Sequence, residues 1–420
     1  MLTSGHASAG AGLPYLTPGQ PGIGGVIKRF DDDFIVEELP LYRPCGDGTH
    51  VFFTIEKRGM PTLRAVRLIA RQLGKRPQDI GYAGLKDAHG VTRQVLSVEH
   101  AEPRRIERLS LDGIKVVSVN RHGNKLKLGH LAGNRFSIKI RGCLKGPLPN
   151  ARAVLDVLKA RGVPNYFGPQ RFGARGDNAA VGLAVVRGDY DEALALILGR
   201  AGPVDHGDVR RARDLYDKGD LAGAAASWAR SSPENARVCR VLMESEHDAR
   251  RGWRAIDHTM RRFYVSSLQS ELFNQTLARR IDSIDRLAAG DIAWKHRNGA
   301  SFRVDDAAAE QARCDAFEIS PTGPLFGRRM MQASGVAGKL EAAVLAEVNL
   351  TNIDIRWRDA GRLLGGRRPL RVPLSHVGTS AGEDKHDAYL LLEFDLPPGA
   401  YATCVTRELC KSCGESHREG

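Results

Sequence analysis

The spacing of apolar and polar residues changes twice along the chain. From Gly25 to about Arg141, short apolar runs alternate with turn residues. Val26–Phe30, Phe34–Glu38 and Val51–Glu56 read as strands, and so do Ile80–Leu85 and Val95–Val98 around a loop. Between Thr62 and Gly74 the apolar positions Leu63, Val66, Ile69, Ala70 and Leu73 recur at helical spacing, with Thr62 as N-cap and Gly74 as the stop. Asn134–Arg141 alternates strictly, setting Phe136, Ile138 and Ile140 on one face and Ser137, Lys139 and Arg141 on the other. From about Ala151 to Val348 most windows turn helical, including Asp191–Leu198, Gly219–Ala229 and a long run from Met260 to Ile281. Strand texture returns at Ile353–Trp357 and Tyr389–Phe394, followed by a helix over Thr403–Lys411.

A mixed beginning, a helical middle and a mixed end predict an α+β fold. One domain is drawn from both ends of the chain, residues 23–160 and 366–420, with residues 161–365 inserted as a largely helical domain. Residues 1–22, rich in Gly, Ala, Pro, Ser and Thr, read as a loosely held N-terminal arm. No internal repeat is evident.

Composition narrows the class. At 420 residues the length suggests roughly two or three domains, and 42% hydrophobic residues are enough for a sizeable core. Uncharged apolar stretches such as Ala179–Val186 fall far short of the roughly 20 residues a bilayer requires, so no membrane span is expected. No Lys or Arg precedes Lys28 and no compact apolar block opens the chain, which argues against a secretory signal. Seven cysteines, an odd number, suit reduced thiols in a cytoplasmic protein better than a disulfide framework. The net charge of +13, from 62 Lys and Arg against 49 Asp and Glu, points to a polyanionic partner.

Two clusters could carry chemistry. In Gly81–Gln94, Lys86, Asp87, His89, Thr92 and Gln94 lie among three glycines. Such a loop could orient a carboxylate, Asp87, among donors; it could equally be a hairpin turn in which Asp87 and Gly90 satisfy backbone geometry. In Gly162–Gly173 the rings of Tyr166, Phe167 and Phe172 lie among glycines and Arg171, which suits stacking on RNA bases or packing at a domain junction. Basic pairs such as Arg210–Arg211, Arg261–Arg262 and Arg367–Arg368 are spread widely, and their sum favours phosphate contact. Cys404, Cys410, Cys413 and His417 have a zinc-like look, but all fall within the last seventeen residues and do not form two separated ligand pairs. Phosphate-loop, dinucleotide and nucleophile-elbow patterns are missing, so neither cofactor nor metal is expected.

Taken in order, the motifs resemble one family, the TruD-type tRNA pseudouridine synthases, over about Gly25 to Lys411. Lys28 followed by Asp33-Phe34-Ile35-Val36-Glu37-Glu38 resembles the entry motif, and Ala83-Gly84-Leu85-Lys86-Asp87 with Thr92 and Gln94 the catalytic loop. Asn134-Arg135-Phe136 resembles the substrate-pocket strand, and Asn165–Gly173 the opening of the inserted domain. Ser320–Gly327 lies late within that insertion, and Ala400–Thr403 with Arg407-Glu408-Leu409 closes the resemblance.

The resemblance implies a pseudouridine-synthase catalytic domain with a mixed, mainly antiparallel sheet and an inserted TRUD domain. It implies isomerisation of uridine in tRNA, with uridine 13 the typical bacterial target, and no cofactor. Asp87 matches the catalytic aspartate and Lys28 the cation beside it, although alone Lys28 reads equally as a surface lysine or a phosphate contact. Phe34, Asn134 and Tyr401 match the substrate contacts, with Phe136 either lining the same pocket or belonging to the sheet core. The family often has Phe where this chain has Tyr401. Extracting a base costs a few kcal/mol, and stacking returns about 1–3 kcal/mol per base, so two or three rings are needed. tRNA is the one partner implied, with neither membrane nor protein partner, and a monomer is expected. A non-catalytic RNA binder or folding chaperone on the same scaffold, or a helical adaptor, are the competing readings.

Overall fold

The computed structural model describes residues 12–86, 90–350 and 364–411. Its contacts divide the chain into two compact units: Leu16–Val163 with Val372–Gly420, and Met1–Tyr15 with Pro164–Arg371.

The first unit is built on a nine-stranded sheet. Its early strands are β1 (Gly24–Val26), β2 (Phe34–Pro40), β3 (His50–Arg58), β4 (Ile80–Tyr82), β5 (Val91–Glu99), β6 (Ile114–His122) and β7 (Leu131–Cys143), and a closing hairpin adds Ser375–Glu383 and Ala388–Leu396. The main path runs from that hairpin through β7, β2, β5 and β3 to β6, with β1 on β7 and β4 on β5. Among the described residues of this sheet only β2 and β5 pair in parallel, so the sheet is mixed and mainly antiparallel. The strand Ala388–Leu396 pairs with β7 over eight positions, from Tyr389 opposite Arg141 to Leu396 opposite Asn134.

Helix α1 (Thr62–Leu73) follows the apolar periodicity and buries Ala65, Val66, Ile69, Ala70 and Leu73 against Val51, Phe53, Ile55, Leu96 and Val98 of the sheet. Burying Val66, Ile69 and Leu73 contributes about 1.5–3 kcal/mol each. Gly74 ends the helix in the left-handed conformation that a side chain disfavours. The expected N-cap role of Thr62 is not observed. Pro61 holds the cap position and Thr62 is the first helical residue. The helices α2 (Pro103–Glu107) and α3 (Pro147–Arg161) and a C-terminal helix (Ala402–Cys410) complete the unit, the last packing on α3 and β1.

Two other expectations change here. β1 stops at Val26 and does not run to Phe30, because the chain turns at Lys28, which has a φ of 59°. The loose arm does not extend through residue 22. Leu16 and Thr17 are buried, and the Glu408 carboxylate accepts hydrogen bonds from both backbone N–H groups (2.9 and 3.1 Å) and from the Thr17 hydroxyl (2.6 Å).

The second unit carries α4 (Asn178–Arg187), α5 (Tyr190–Leu198), α6 (Gly207–Asp217), α7 (Leu221–Ser231), α8 (Pro233–Glu244), α9 (Ala249–Ala255), α10 (His258–Arg279), α11 (Ala307–Asp315) and α12 (Gly335–Glu347). Asp257 caps α10 by accepting from Thr259 N, and the helix buries Val265, Leu268, Leu272, Phe273 and Leu277. Trp228 and Trp253 join the shared core. A four-stranded sheet, with strands in the order Ser301–Arg303, Ile292–Lys295, Ile319–Leu325 and Gly366–Pro369, interrupts the helices. Helical texture hid it because Ile319–Leu325 holds two prolines and a glycine, which disfavour a central strand. The strand tolerates them by changing partner midway. Ile319–Pro321 pair with residues 293–295, and Thr322–Leu325 with residues 366–369. Ile353–Trp357, expected as a strand, lies outside the described residues.

Candidate active site

The pleat of β2 and β7 decides what faces what. Phe34 lies opposite Ile138, Val36 opposite Phe136 and Glu38 opposite Asn134. Directly opposed residues share a face, so Phe34, Glu38, Asn134 and Phe136 project together. Phe394 joins them, opposite Phe136 on the last strand. Three rings therefore form a series: Phe34 meets Phe136 edge-on at 6.2 Å, and Phe136 stacks on Phe394 at 5.2 Å. All three are buried.

Lys28 reaches this series from the turn between β1 and β2, its Nζ 4.4 Å from the centre of the Phe34 ring. A non-glycine residue at positive φ is uncommon, and the turn is held from below. Asp33 is fully buried and accepts from Phe30 N at 3.0 Å and from Arg141 Nε and Nη2 at 2.9 and 2.7 Å. Arg141 also grips Asp384 through Nη1 and Nη2 at 3.0 and 2.7 Å. Hydrogen bonds from Arg141 and then Lys139 hold the Asp384 carboxyl well below the usual carboxylate range. Asp33 and Asp384 in turn raise the Arg141 guanidinium above its ordinary value.

Asp87, with Ala88 and His89, lies outside the described residues. The residues on either side are well defined. Lys86 N donates to Thr62 Oγ1 at 2.8 Å, and that hydroxyl donates to Gln94 Oε1 at 2.8 Å, which tethers the loop to the first turn of α1. Lys86 Nζ donates to Asn134 Oδ1 at 2.6 Å and lies 3.2 Å from Glu38 Oε2. Burial pushes the Glu38 carboxyl above the usual range, against the pull of Lys86 and the Val95 N–H. On the far side, Gly90 has a φ of 120°, and a Cβ there would stand 2.4 Å from the Phe34 carbonyl oxygen. Only glycine lets the chain pass so close to Phe34. The Thr92 hydroxyl and Gln94 Nε2, both buried, have no hydrogen-bond partner among the described residues.

Tyr401 stands half-buried at the start of the C-terminal helix, five residues beyond Leu396, the register partner of Asn134. The structure thus brings together Lys28, Phe34, Asn134 and Phe136 on one face, with Tyr401 on the segment leaving that end of the sheet. Four contributors escaped sequence reasoning as site residues. Phe394 was signalled only by the alternation of Leu390, Leu392 and Phe394. Glu38 and Lys86 stand in the quoted motifs without an assigned partner, and Arg141 sits on the polar side of an alternating strand. Cys404 and Cys410 are buried in the C-terminal helix, whereas Cys413 and His417 lie outside the described residues.

Comparison with known proteins agrees over nearly the whole chain. The family model described as tRNA pseudouridine synthase D (TruD) matches residues 11–409. A curated tRNA pseudouridine synthase D from Geobacter metallireducens is 46% identical over 397 residues, covering 94% of this chain and 97% of its own. One from Anaeromyxobacter dehalogenans is 38% identical over 410 residues, covering 97% and 99%. A crystal structure assigned to tRNA pseudouridine synthase D (TruD) from Methanosarcina mazei superposes with a TM-score of 0.82 at 28% identity, covering 95% of this chain and 96% of the other. With a family-model match over residues 11–409, curated relatives at 38–46% identity and near-complete coverage, this chain belongs to the tRNA pseudouridine synthase D (TruD) family.

Proposed function

We propose that the protein isomerises uridine to pseudouridine in tRNA, at uridine 13, with Asp87 as the catalytic aspartate. The C1′–N1 bond breaks, the uracil turns, and C5 bonds to C1′. A proton leaves C5 and one is gained at N1, so nothing is consumed and no cofactor is called for. The observation that carries this reading is the anchoring of the chain on both sides of Asp87. Lys86 is tied to Thr62, Asn134 and Glu38, and Gly90 passes under Phe34. The reading sets the Asp87 carboxylate to work beside the Phe34 ring and the Lys28 ammonium, whose Nζ lies 4.4 Å from the centre of that ring. That cation favours the ionised carboxylate, ready to attack C1′ or to accept a proton as the base departs. Phe34, Phe136 and Tyr401 take the roles of rings around the everted uracil, and Asn134 offers donor and acceptor to its edge.

In this reading residues 23–160 and 366–420 form the catalytic domain and residues 161–365 the inserted domain. The protein acts in the cytoplasm as a monomer, without a protein partner. No described helix is long and apolar enough to cross a membrane. The test is to incubate the protein with unmodified tRNA transcript and map pseudouridine, with Asp87→Ala in parallel. The parent forms pseudouridine at the target, and the variant binds tRNA without forming product. Turnover by the variant close to the parent's would reassign the nucleophile; tRNA binding by the parent with no product would leave an RNA-binding protein on the same scaffold.

A further inference from the structure

A concavity opens on the sheet unit beyond the end of β2. It encloses about 700 Å³ and is lined by Tyr42, Arg43, His122, Lys125, Lys127 and His130 among others. That volume falls within the range of small-molecule and cofactor sites, roughly 300–1,000 Å³. Its lining includes three fixed cations and no carboxylate. Arg43 and Lys127 are exposed and form no ion pair among the described residues, whereas Lys125 Nζ is held by the Gln78 carbonyl at 2.7 Å. The wall is aromatic. Tyr42 stacks on His122 at 5.1 Å, and its hydroxyl lies 2.9 Å from His130 Nδ1. His122 Nδ1 accepts from Cys45 N at 3.3 Å, so the neutral ring keeps its proton on Nε2 and can donate from there.

The concavity is coupled to the catalytic loop. Gly129 N, in the turn before β7, donates to the Ala83 carbonyl at 2.8 Å, and Ala83 opens the segment that runs to Lys86. Tyr42 is four residues beyond Glu38, so at full extension their Cα atoms are at most about 14 Å apart. An RNA strand with one base in the active site therefore has another of its nucleotides within reach of the cavity. Cations beside a ring stack are what a phosphate and its base require.

We propose that this cavity binds a nucleotide of the RNA substrate other than the target uridine. Arg43 and Lys127 take its phosphate, and its base lies against the Tyr42–His122 pair. The proposal deepens the reading of the chain as a tRNA-modifying enzyme and rests on it. The pocket would act as a second grip that sets the register of the strand, so its loss shows in substrate affinity more than in chemistry.

The test compares the parent with the double variant Arg43→Ala/Lys127→Ala and the charge-retaining Arg43→Lys/Lys127→Arg. Pseudouridine formation and tRNA binding are followed over a range of salt. Losing the one phosphate that this pair neutralises makes the slope of log Kd against log salt shallower by about 0.7–0.9. KM for tRNA rises several-fold with kcat nearly unchanged, and the charge-retaining pair recovers most of the affinity. An unchanged KM and slope in the double variant would overturn the proposal. So would tight binding of uridine monophosphate alone that the double variant loses, since that assigns the cavity to a free nucleotide. If the parent binds tRNA but makes no product, the proposed reaction falls, and the salt slope still judges the pocket on its own.

Discussion

Replacing Arg141 by Ala tests the support beneath the Lys28–Phe34 turn. Arg141 is 1% exposed and Asp33 0%. The substitution deletes three hydrogen bonds of 2.7–2.9 Å to Asp33 and two to Asp384. Asp33 would keep the Phe30 N–H but lose its countercharge in a site closed to water. Breaking a buried pair from one side costs about 3–5 kcal/mol, because the remaining charge is stranded. In a unit of roughly 200 residues each kcal/mol moves Tm by about 2–4 °C, so a drop of about 6–20 °C is expected for the transition of that unit. Thermal and urea unfolding followed by circular dichroism give the figure. Adding Asp33→Asn to Arg141→Ala removes the stranded charge and recovers part of the loss, which separates the charge effect from lost packing. A fall of under about 2 °C for Arg141→Ala, or no recovery in the double variant, would refute the reasoning.

Two further outcomes follow from single sites. Gly90→Ala places a Cβ 2.4 Å from the Phe34 carbonyl oxygen at a φ of 120°; strained positions of this kind cost about 1–3 kcal/mol, and displacement of the neighbouring loop lowers turnover by at least tenfold. Unchanged stability and kcat in that variant would show that the close approach is not required. In the second unit, burial pushes the His296 imidazole down to about 4, with Ser320 Oγ 2.9 Å from Nε2. Above pH 6.5 the ring is neutral in both folded and unfolded chains; between 6.5 and about 4 only the unfolded chain takes the proton, so stability falls as pH drops, by at most about 1.4 kcal/mol per pH unit. Urea unfolding at pH 7.5, 5.5 and 4.5 measures the slope, and His296→Gln should reduce it; an equal slope in the variant would rule His296 out as its source.

The sheet unit was legible in the sequence because its strands are half-buried and alternate. Phe136, Ile138 and Ile140 of β7 sit where the period of two puts them, and α1 buries Val66, Ile69, Ala70 and Leu73 of the apolar positions its spacing picked out, while Leu63, in the first turn, stays exposed. The candidate site residues Lys28, Phe34 and Asn134 carry their signal in motifs, not in periodicity. What stayed hidden depends on long-range pairing. Arg141 looks like an exposed strand residue until Asp384, 243 positions away, closes over it. Thr62 has the sequence of a cap, yet its hydroxyl is engaged by Lys86 and Gln94. The small sheet of the second unit breaks local propensity, and only its changing partners explain Pro321 and Pro324 within one strand.

The pairing of Ala388–Leu396 with β7 has a consequence during synthesis. β7 leaves the ribosome long before the strand that covers its flank, and more than two hundred residues are translated in between. Until then one edge of β7 is an open template for strand addition by a neighbouring chain. At about 5–20 residues per second the wait lasts some ten to fifty seconds, time enough for the intervening helices to fold first. The enzyme's vulnerability to aggregation thus belongs to the nascent chain, and a message cut short before codon 388 would leave it permanently exposed.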